Sequence, residues 1–310
     1  MQTGLKEEKK VAAPVAHFCQ DLDLSLERLK AVLRLAADMK KTPRNFSTAM
    51  AGKYLALLFE KPSLRTAVGF ELAMKQMGGD TVQANGTMGQ REPVKDMARI
   101  LGRWVDGMAA RVFAQSTVDE LAEYSGVPVV NALSDLYHPC QALADAMTIE
   151  ERFGSCEGLR VAYVGDGNNV AHSLMITAAR LGARVVVGAP KGYEPNPMVT
   201  EQARRGGVVE LVNDPREAVA GAHVVYTDVW TSMGQEEETA ARLVAFQGWG
   251  VDDAMMKLAA KDAVFLHCLP AHRGDEVMDS VIESPQSAVF DQAENRMHTQ
   301  KAVLFTLLSN

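Results

Sequence analysis

A chain of 310 residues exceeds one ordinary hydrophobic core and suits two domains. Its 47% hydrophobic and 23% charged residues read as a soluble globular protein, and a formal net charge of −7 argues against a general nucleic-acid or membrane-surface binder. The four cysteines, Cys19, Cys140, Cys156 and Cys268, form no CxxC pair. Reduced thiols of a cytoplasmic protein are expected, rather than a disulfide framework or a zinc site. Met1 to Ala13 is polar and rich in Lys and Glu, so no signal peptide is expected, and Met1–Pro14 reads as a loose tail. No apolar run reaches membrane-spanning length.

From Leu22 to Lys41 the apolar residues Leu24, Leu26, Leu29, Val32, Leu33 and Leu35 recur near every third or fourth position and predict a helix. Apolar runs then alternate with amphipathic ones. Lys53–Phe59, Thr81–Ala84, Gly107–Phe113 and Pro128–Asn131 read as strands. Leu64–Met77, Pro93–Arg103, Val118–Tyr124 and the longer Pro139–Phe153 read as helices. Gly154, Ser155 and Gly158 punctuate a boundary near Glu150–Arg160. The alternation restarts with strand Arg160–Val164, helix Asn168–Leu181 and strand Ala183–Ala189. It continues through Asn196–Arg205, Val208–Leu211, Pro215–Val219 and His223–Thr227. Ala263–His267 and a short Ala288–Phe290 read as strands, and Gln292–Leu308 as a closing helix. Such alternation predicts an α/β chain of two doubly wound parallel-sheet domains joined by interdomain helices.

Short polar clusters sit at the ends of the apolar runs, where α/β enzymes keep their chemistry. Ser63-Leu64-Arg65-Thr66 follows the first strand and opens a helix. A helix N-terminus, two hydroxyls and an arginine fork suit an anion; the same pattern also fits a plain Ser cap beside a surface arginine. In His138-Pro139-Cys140-Gln141, Pro139 suits a first helical turn and Gln141 falls one turn on from His138. His138 there reads as a cap or as a catalyst. Val164-Gly165-Asp166-Gly167-Asn168-Asn169 imitates a dinucleotide turn, but GxGxxG would need glycine where Val170 stands, so an NAD-dependent oxidoreductase is disfavoured. Asp228-Val229-Trp230-Thr231-Ser232-Met233-Gly234 occupies a loop after a strand, ahead of the solvated run Glu236-Glu237-Glu238. His267-Cys268-Leu269-Pro270 ends a strand, where the cysteine is either buried packing or part of a site. Arg111 at a strand end and Arg296 in the last helix each read, alone, as ordinary surface arginines.

Together and in this order, the clusters resemble the ornithine carbamoyltransferases, from about His17 to the C-terminus. The resemblance implies transfer of a carbamoyl group from carbamoyl phosphate to the δ-amine of ornithine, giving citrulline in arginine metabolism. It implies that residues 1–150 bind carbamoyl phosphate, residues 151–291 bind ornithine, and the helix 292–310 returns to the first domain. Ser63, Leu64, Arg65 and Thr66 would hold the phosphate with Arg296, and Arg111 would bridge phosphate and carbonyl oxygen. His138 would donate to the carbonyl, and Gln141 and the Leu269 carbonyl, before an expected cis Pro270, would meet the carbamoyl nitrogen. Asn168, Asn169, Asp228, Ser232 and Met233 would hold ornithine, with Cys268 beside its side-chain amine. Arg111, His138, Asp228 and Cys268 are the expected catalytic set, with no metal and no cofactor. Relatives assemble as trimers with sites at subunit interfaces, so a homotrimer or a multiple of it is expected. The chain departs from the family at Ala67, usually Arg, and at Met88, usually Gln or His contributed by a neighbouring subunit; Gln90 is the expected replacement. The alternatives are a sister enzyme for putrescine or an acylated ornithine, or an inactive binding relative.

Overall fold

The computed structural model describes residues 15–60, 63–232 and 236–309; the tail expected over Met1–Pro14 lies outside them. The first half contains α1 (Leu26–Lys41), β1 (Tyr54–Phe59), α2 (Leu64–Gln76), β2 (Asp80–Asn85), α3 (Val94–Leu101), β3 (Gly107–Arg111), α4 (Gln115–Ser125), β4 (Val129–Leu133) and α5 (Pro139–Phe153). The second contains β5 (Arg160–Val164), α6 (Asn169–Arg180), β6 (Arg184–Gly188), α7 (Pro197–Gly206), β7 (Val209–Val212), α8 (Pro215–Val219) and β8 (Val224–Thr227). It continues with α9 (Thr239–Ala245), α10 (Asp253–Met256), β9 (Val264–His267), α11 (Asp279–Ile282) and α12 (Val289–Leu308). Two sheets result, ordered β2-β1-β3-β4 and β7-β6-β5-β8-β9. Every strand pair is parallel. Among the described residues, no helix is long and apolar enough to cross a membrane.

Both faces of each sheet are covered, as continuous apolar strands require. Alternate residues of β1 serve different cores. Leu55, Leu57 and Phe59 join a cluster that runs through Leu143 and Met147 of α5 and Leu174 of α6 to Val161 and Val185 of the second sheet. Ala56 and Leu58 face Val118 and Leu121 of α4 instead. Helix α12 packs on α1, α2, α5 and β9.

Where the structure departs from the expected elements, tertiary contacts decide. Helix α1 starts at Leu26, not Leu22, because the Asp23 carboxylate accepts the N–H groups of Cys19 (2.6 Å) and Gln20 (3.0 Å) in a preceding 3-10 turn. Ser25 then caps α1 by accepting from the Arg28 N–H. Helix α4 begins three residues early, at Gln115, because Asp135 from a distant loop accepts the Gln115 N–H at 2.8 Å. Ala288–Phe290 is not a strand. Ala288 makes one bond to β9 and then accepts from Gln292 N–H, so the Ala-Val-Phe run starts α12 with Val289 buried and Phe290 exposed. The short helices α9, α10 and α11 follow no apolar period long enough to announce them. Gly102 ends α3 where a side chain has no room: a Cβ there would meet the Ser125 carbonyl oxygen at 1.7 Å.

Candidate active site

In an open parallel sheet, the crevice opens where consecutive connections leave a strand in opposite directions, at the strands' carboxyl ends. In the first sheet this point lies between β1 and β3, and in the second between β5 and β8. The segments after these four strands line one cleft of about 1220 Å³ between the sheets. Ser63, Arg65, Arg111, His138, Asn168, Asn169, Asp228, Ser232, Cys268, Leu269 and Arg296 all face it.

One wall is basic. Ser63 is the N-cap residue of α2 and leaves its side chain out of the cap, so the first-turn N–H groups and Ser63 Oγ remain available. Arg111 closes β3 almost fully buried, its Nε without a partner. Burial, then the charges of Arg296 and Arg65, push its guanidinium down to about 10. Arg111 and Arg296, each with a buried Nε left unpartnered, and Arg65 within their electrostatic reach are arranged for a multiply charged anion. Arg296 reaches from α12 to donate to Thr66 Oγ1 at 3.0 Å, so the last helix carries a charge to the start of α2. His138 caps α5, and its backbone N–H donates to Ser173 Oγ at 2.9 Å. Burial, reinforced by Arg296 and Arg111, holds its imidazole well below the usual histidine range; it is neutral at pH 7, with Nδ1 unpartnered.

The opposite wall is acidic. Asn168 caps α6, its Oδ1 accepting from the N–H groups of Val170 (2.9 Å) and Ala171 (3.2 Å). That fixes its amide so that Nδ2 donates to Asp228 Oδ2 at 2.8 Å. The Cys268 thiol donates to the other oxygen, Asp228 Oδ1, at 3.0 Å. Burial, then the Asp228 carboxylate, raise the thiol well above its ordinary value, so it stays protonated and is no thiolate nucleophile. Asn169 Nδ2 donates to the Ser134 carbonyl, tying α6 to the first domain's β4–α5 loop.

The His267–Pro270 turn is set by a buried pair. Leu269 N–H donates to His267 Nδ1 at 2.9 Å, so that nitrogen is an acceptor and Nε2 carries the proton toward Glu276 Oε1 at 3.3 Å. Leu269 has φ 55°, in the left-handed region, and the Leu269–Pro270 peptide is cis.

Not every expected site residue lies on the cleft surface. Thr66 and Gln141 are buried and do not line it. The Leu64 side chain is 79% exposed and points away, leaving only its backbone at the helix start. Gln90 is exposed and stands outside this chain's own cleft. Met88 packs against the cluster of Val94 and Ala98, its N–H held by Glu60 Oε1 at 2.8 Å. Met233 lies outside the described residues.

Several participants escaped sequence reasoning. Glu60 also accepts from Phe113 N–H, joining the loops after β2 and β3. Asp166 pairs with Arg242 at 3.0 Å, both buried, and Arg242 also donates to the Trp230 carbonyl and lies over the Tyr193 ring. Burial pushes the Asp166 carboxyl up to about 6 against that pairing. Arg242 reads in sequence as an ordinary helix arginine; only its contacts reveal it. A ligand atom each of Asp228, His267 and Cys268 lie within 4.8 Å of one another, a spacing that could hold a metal ion. Yet Asp228 already accepts from Asn168 and from the Cys268 thiol, and His267 is held by the Leu269 N–H and Glu276.

The chain matches the model of the aspartate/ornithine carbamoyltransferase carbamoyl-P binding domain over residues 16–151, and that of the Asp/Orn binding domain over residues 157–307. It is 53% identical over 302 residues to an ornithine carbamoyltransferase of Acidothermus cellulolyticus, covering 95% of this chain and 97% of that protein. It is also 53% identical over 285 residues to that of Thermus thermophilus, covering 91% and 93%. The structure of ornithine carbamoyltransferase from Pyrococcus furiosus superposes with a TM-score of 0.91 at 47% identity, covering 96% of this chain and 99% of that one. The chain belongs to the aspartate/ornithine carbamoyltransferase family.

Proposed function

We propose that this protein transfers the carbamoyl group of carbamoyl phosphate to the δ-amine of L-ornithine, giving L-citrulline and phosphate. The observation that carries it is the polarity of the cleft: Arg65, Arg111, Arg296 and a helix N-terminus on one wall, Asp228 and a protonated Cys268 on the other. A dianion and an amine are held facing each other. Ser63, the Leu64 N–H, Arg65, Thr66 and Arg296 hold the phosphate. Arg111 and neutral His138 donate to the carbonyl oxygen as negative charge grows there. A neutral imidazole does this without adding a fourth positive charge beside the incoming amine. The Leu269 carbonyl accepts from the carbamoyl nitrogen, as does Gln141 Oε1, which lies just beneath the cleft surface without a partner, one helical turn from His138. Asn168, Asn169, Asp228, Ser232 and Met233 hold ornithine, with Cys268 next to the δ-amine.

The amine nitrogen bonds to the carbamoyl carbon and gives up one proton; the carbon–oxygen bond to phosphate breaks, and phosphate leaves with the electron pair. No enzyme-bound intermediate is needed, so positioning and electrostatics supply the acceleration. The free amine has a pKa of about 10.4, and bringing it to 7 costs about 4–5 kcal/mol at 1.36 per unit. The arginines favour that deprotonation and Asp228 opposes it.

Residues 1–150 form the carbamoyl phosphate domain and residues 151–291 the ornithine domain, with 292–310 packed back on the first. The protein works in the cytoplasm, in arginine biosynthesis, as a trimer or a multiple of one. Supporting the assembly, Tyr54, Val82 and Trp104 are 48%, 55% and 70% exposed around an apolar hollow beside edge strand β2.

The test is a steady-state assay with carbamoyl phosphate and a panel of amines. L-Ornithine should give the highest kcat/KM, with putrescine and N-acetylornithine far below. A preference for either of those, or no turnover of any, overturns the reading.

A further inference from the structure

Behind His138, a chain of buried amides and one carboxylate runs from the end of β9 to Gln141. Its polarity is set at one end by a backbone group that can only donate. His267 N–H donates to Gln292 Oε1 at 2.9 Å, which leaves Gln292 Nε2 facing the other way. Gln292 Nε2 donates to Asp145 Oδ1 at 2.6 Å and to the Tyr226 hydroxyl at 3.1 Å. The same Asp145 Oδ1 accepts from Gln141 Nε2 at 2.8 Å and from Tyr226 OH at 3.4 Å. Gln141 Oε1 is then left over, a buried acceptor without a partner, one helical turn from His138. Asp145 is wholly buried, and its Oδ2 is likewise unpartnered. Three donors converge on Oδ1, so that oxygen stays an acceptor in either charge state, any proton sitting on Oδ2.

We propose that Asp145 is a positioning residue for specificity: it locks the Gln141 amide with its carbonyl oxygen free, so that the site accepts the NH₂ of a carbamoyl group and rejects an acyl phosphate bearing a methyl in its place. The inference rests on the assignment of Gln141 to the carbamoyl nitrogen. Without Asp145 the Gln141 amide can rotate by half a turn. An NH₂ group would then face the substrate's NH₂, and the preference for a donor would vanish. Acetyl phosphate has no donor at that position. It leaves Gln141 Oε1 unpaired in the native protein and is indifferent to the flip.

The experiment compares KM for carbamoyl phosphate with the inhibition constant of acetyl phosphate, in the full-length protein, for Gln141→Ala, Asp145→Leu, Asp145→Ala and Asp145→Asn. Asp145→Leu removes the acceptor while keeping the branching at Cγ, and Asp145→Ala removes it without adding bulk. Asp145→Asn removes the charge but keeps an acceptor oxygen toward Gln141 and Gln292. Discrimination should fall about tenfold in Gln141→Ala and in Asp145→Leu, through weaker carbamoyl phosphate with acetyl phosphate nearly unchanged. Asp145→Asn should keep the native discrimination within about threefold even where its rate is lower. If Gln141→Ala loses discrimination and Asp145→Leu does not, or if Asp145→Asn loses it as fully as Asp145→Leu, the proposal fails. Discrimination unchanged in Gln141→Ala overturns instead the assignment of Gln141. Should Asp145→Leu not fold, Asp145→Ala takes its place: discrimination lost there and kept in Asp145→Asn supports the lock, and discrimination kept in Asp145→Ala overturns it.

Discussion

At the scale of single residues, the charges of the cleft carry separate expectations. Arg65 is solvent-accessible at the start of α2, within electrostatic reach of Arg111 and Arg296. On the proposed assignment its removal costs a phosphate contact but no packing. Arg65→Ala should lower kcat/KM for carbamoyl phosphate by about 10²–10³, the usual cost of one donor to a developing or resident charge, with an unchanged melting temperature. Near-native kcat/KM would show that this loop does not bind the phosphate. Cys268 donates to Asp228 and is kept protonated by burial and that carboxylate. Cys268→Ser keeps a donor at the same place, so it should retain turnover while raising KM for ornithine severalfold, about 1 kcal/mol for an altered hydrogen bond. A covalently carbamoylated Cys268 that turns over competently would contradict this role.

Among elements, the joint between the N-terminal segment and α6 depends on one buried acid. Asp21 accepts from Ser173 Oγ at 2.7 Å and from Thr177 Oγ1 at 3.1 Å. Ser173 in turn takes the His138 N–H, so this joint reaches the active site. Burial raises the Asp21 carboxyl from 3.8 to about 7, with both hydroxyls opposing. A raised folded-state value means the native protein keeps a proton that the unfolded chain has released. Stability from this group is therefore full below pH 3.8 and lost as pH rises through about 7. Asp21→Asn cannot titrate, so the denaturation midpoint should fall less between pH 5 and 8 than in the native protein. Equal falls in the two proteins would exclude Asp21 as a source. Sequence reading found the flanking helices, but Asp21 looked like any acidic residue before a helix. Its burial follows from where α6 lies, which no local pattern states.

For the whole molecule, a trimer as proposed would make the site a shared one. Gln90 is exposed and outside its own chain's cleft, while Met88 is tucked against Val94 and held through its N–H by Glu60. Of the two, only Gln90 has a side chain free of its own domain's packing. Gln90→Ala should raise KM for carbamoyl phosphate about tenfold, one step of 1.4 kcal/mol, and Met88→Gln should change it little. Light scattering should return three times the 33.6 kDa chain or a multiple of that. A monomeric mass with full activity would remove both expectations.

The sequence alone determined the alternation of strands and helices and the placing of Ser63–Thr66, His138–Gln141, Asp228–Ser232 and His267–Pro270 at strand or helix ends. Periodicity and turn chemistry are local, so they can be read without coordinates. Only the tertiary structure decided which of those residues meet across the cleft, that Gln141 and Thr66 lie beneath its surface, and that α12 brings Arg296 to Thr66. It alone also revealed Asp145, Gln292, Glu276 and Arg242, each an ordinary polar residue in its local stretch. Their roles come from burial and from partners brought in by the fold, 147 residues away in the chain between Asp145 and Gln292 and 9 between His267 and Glu276. A buried polar group must find a partner or pay its full desolvation cost, and which partner is within reach is a property of the fold and not of the segment.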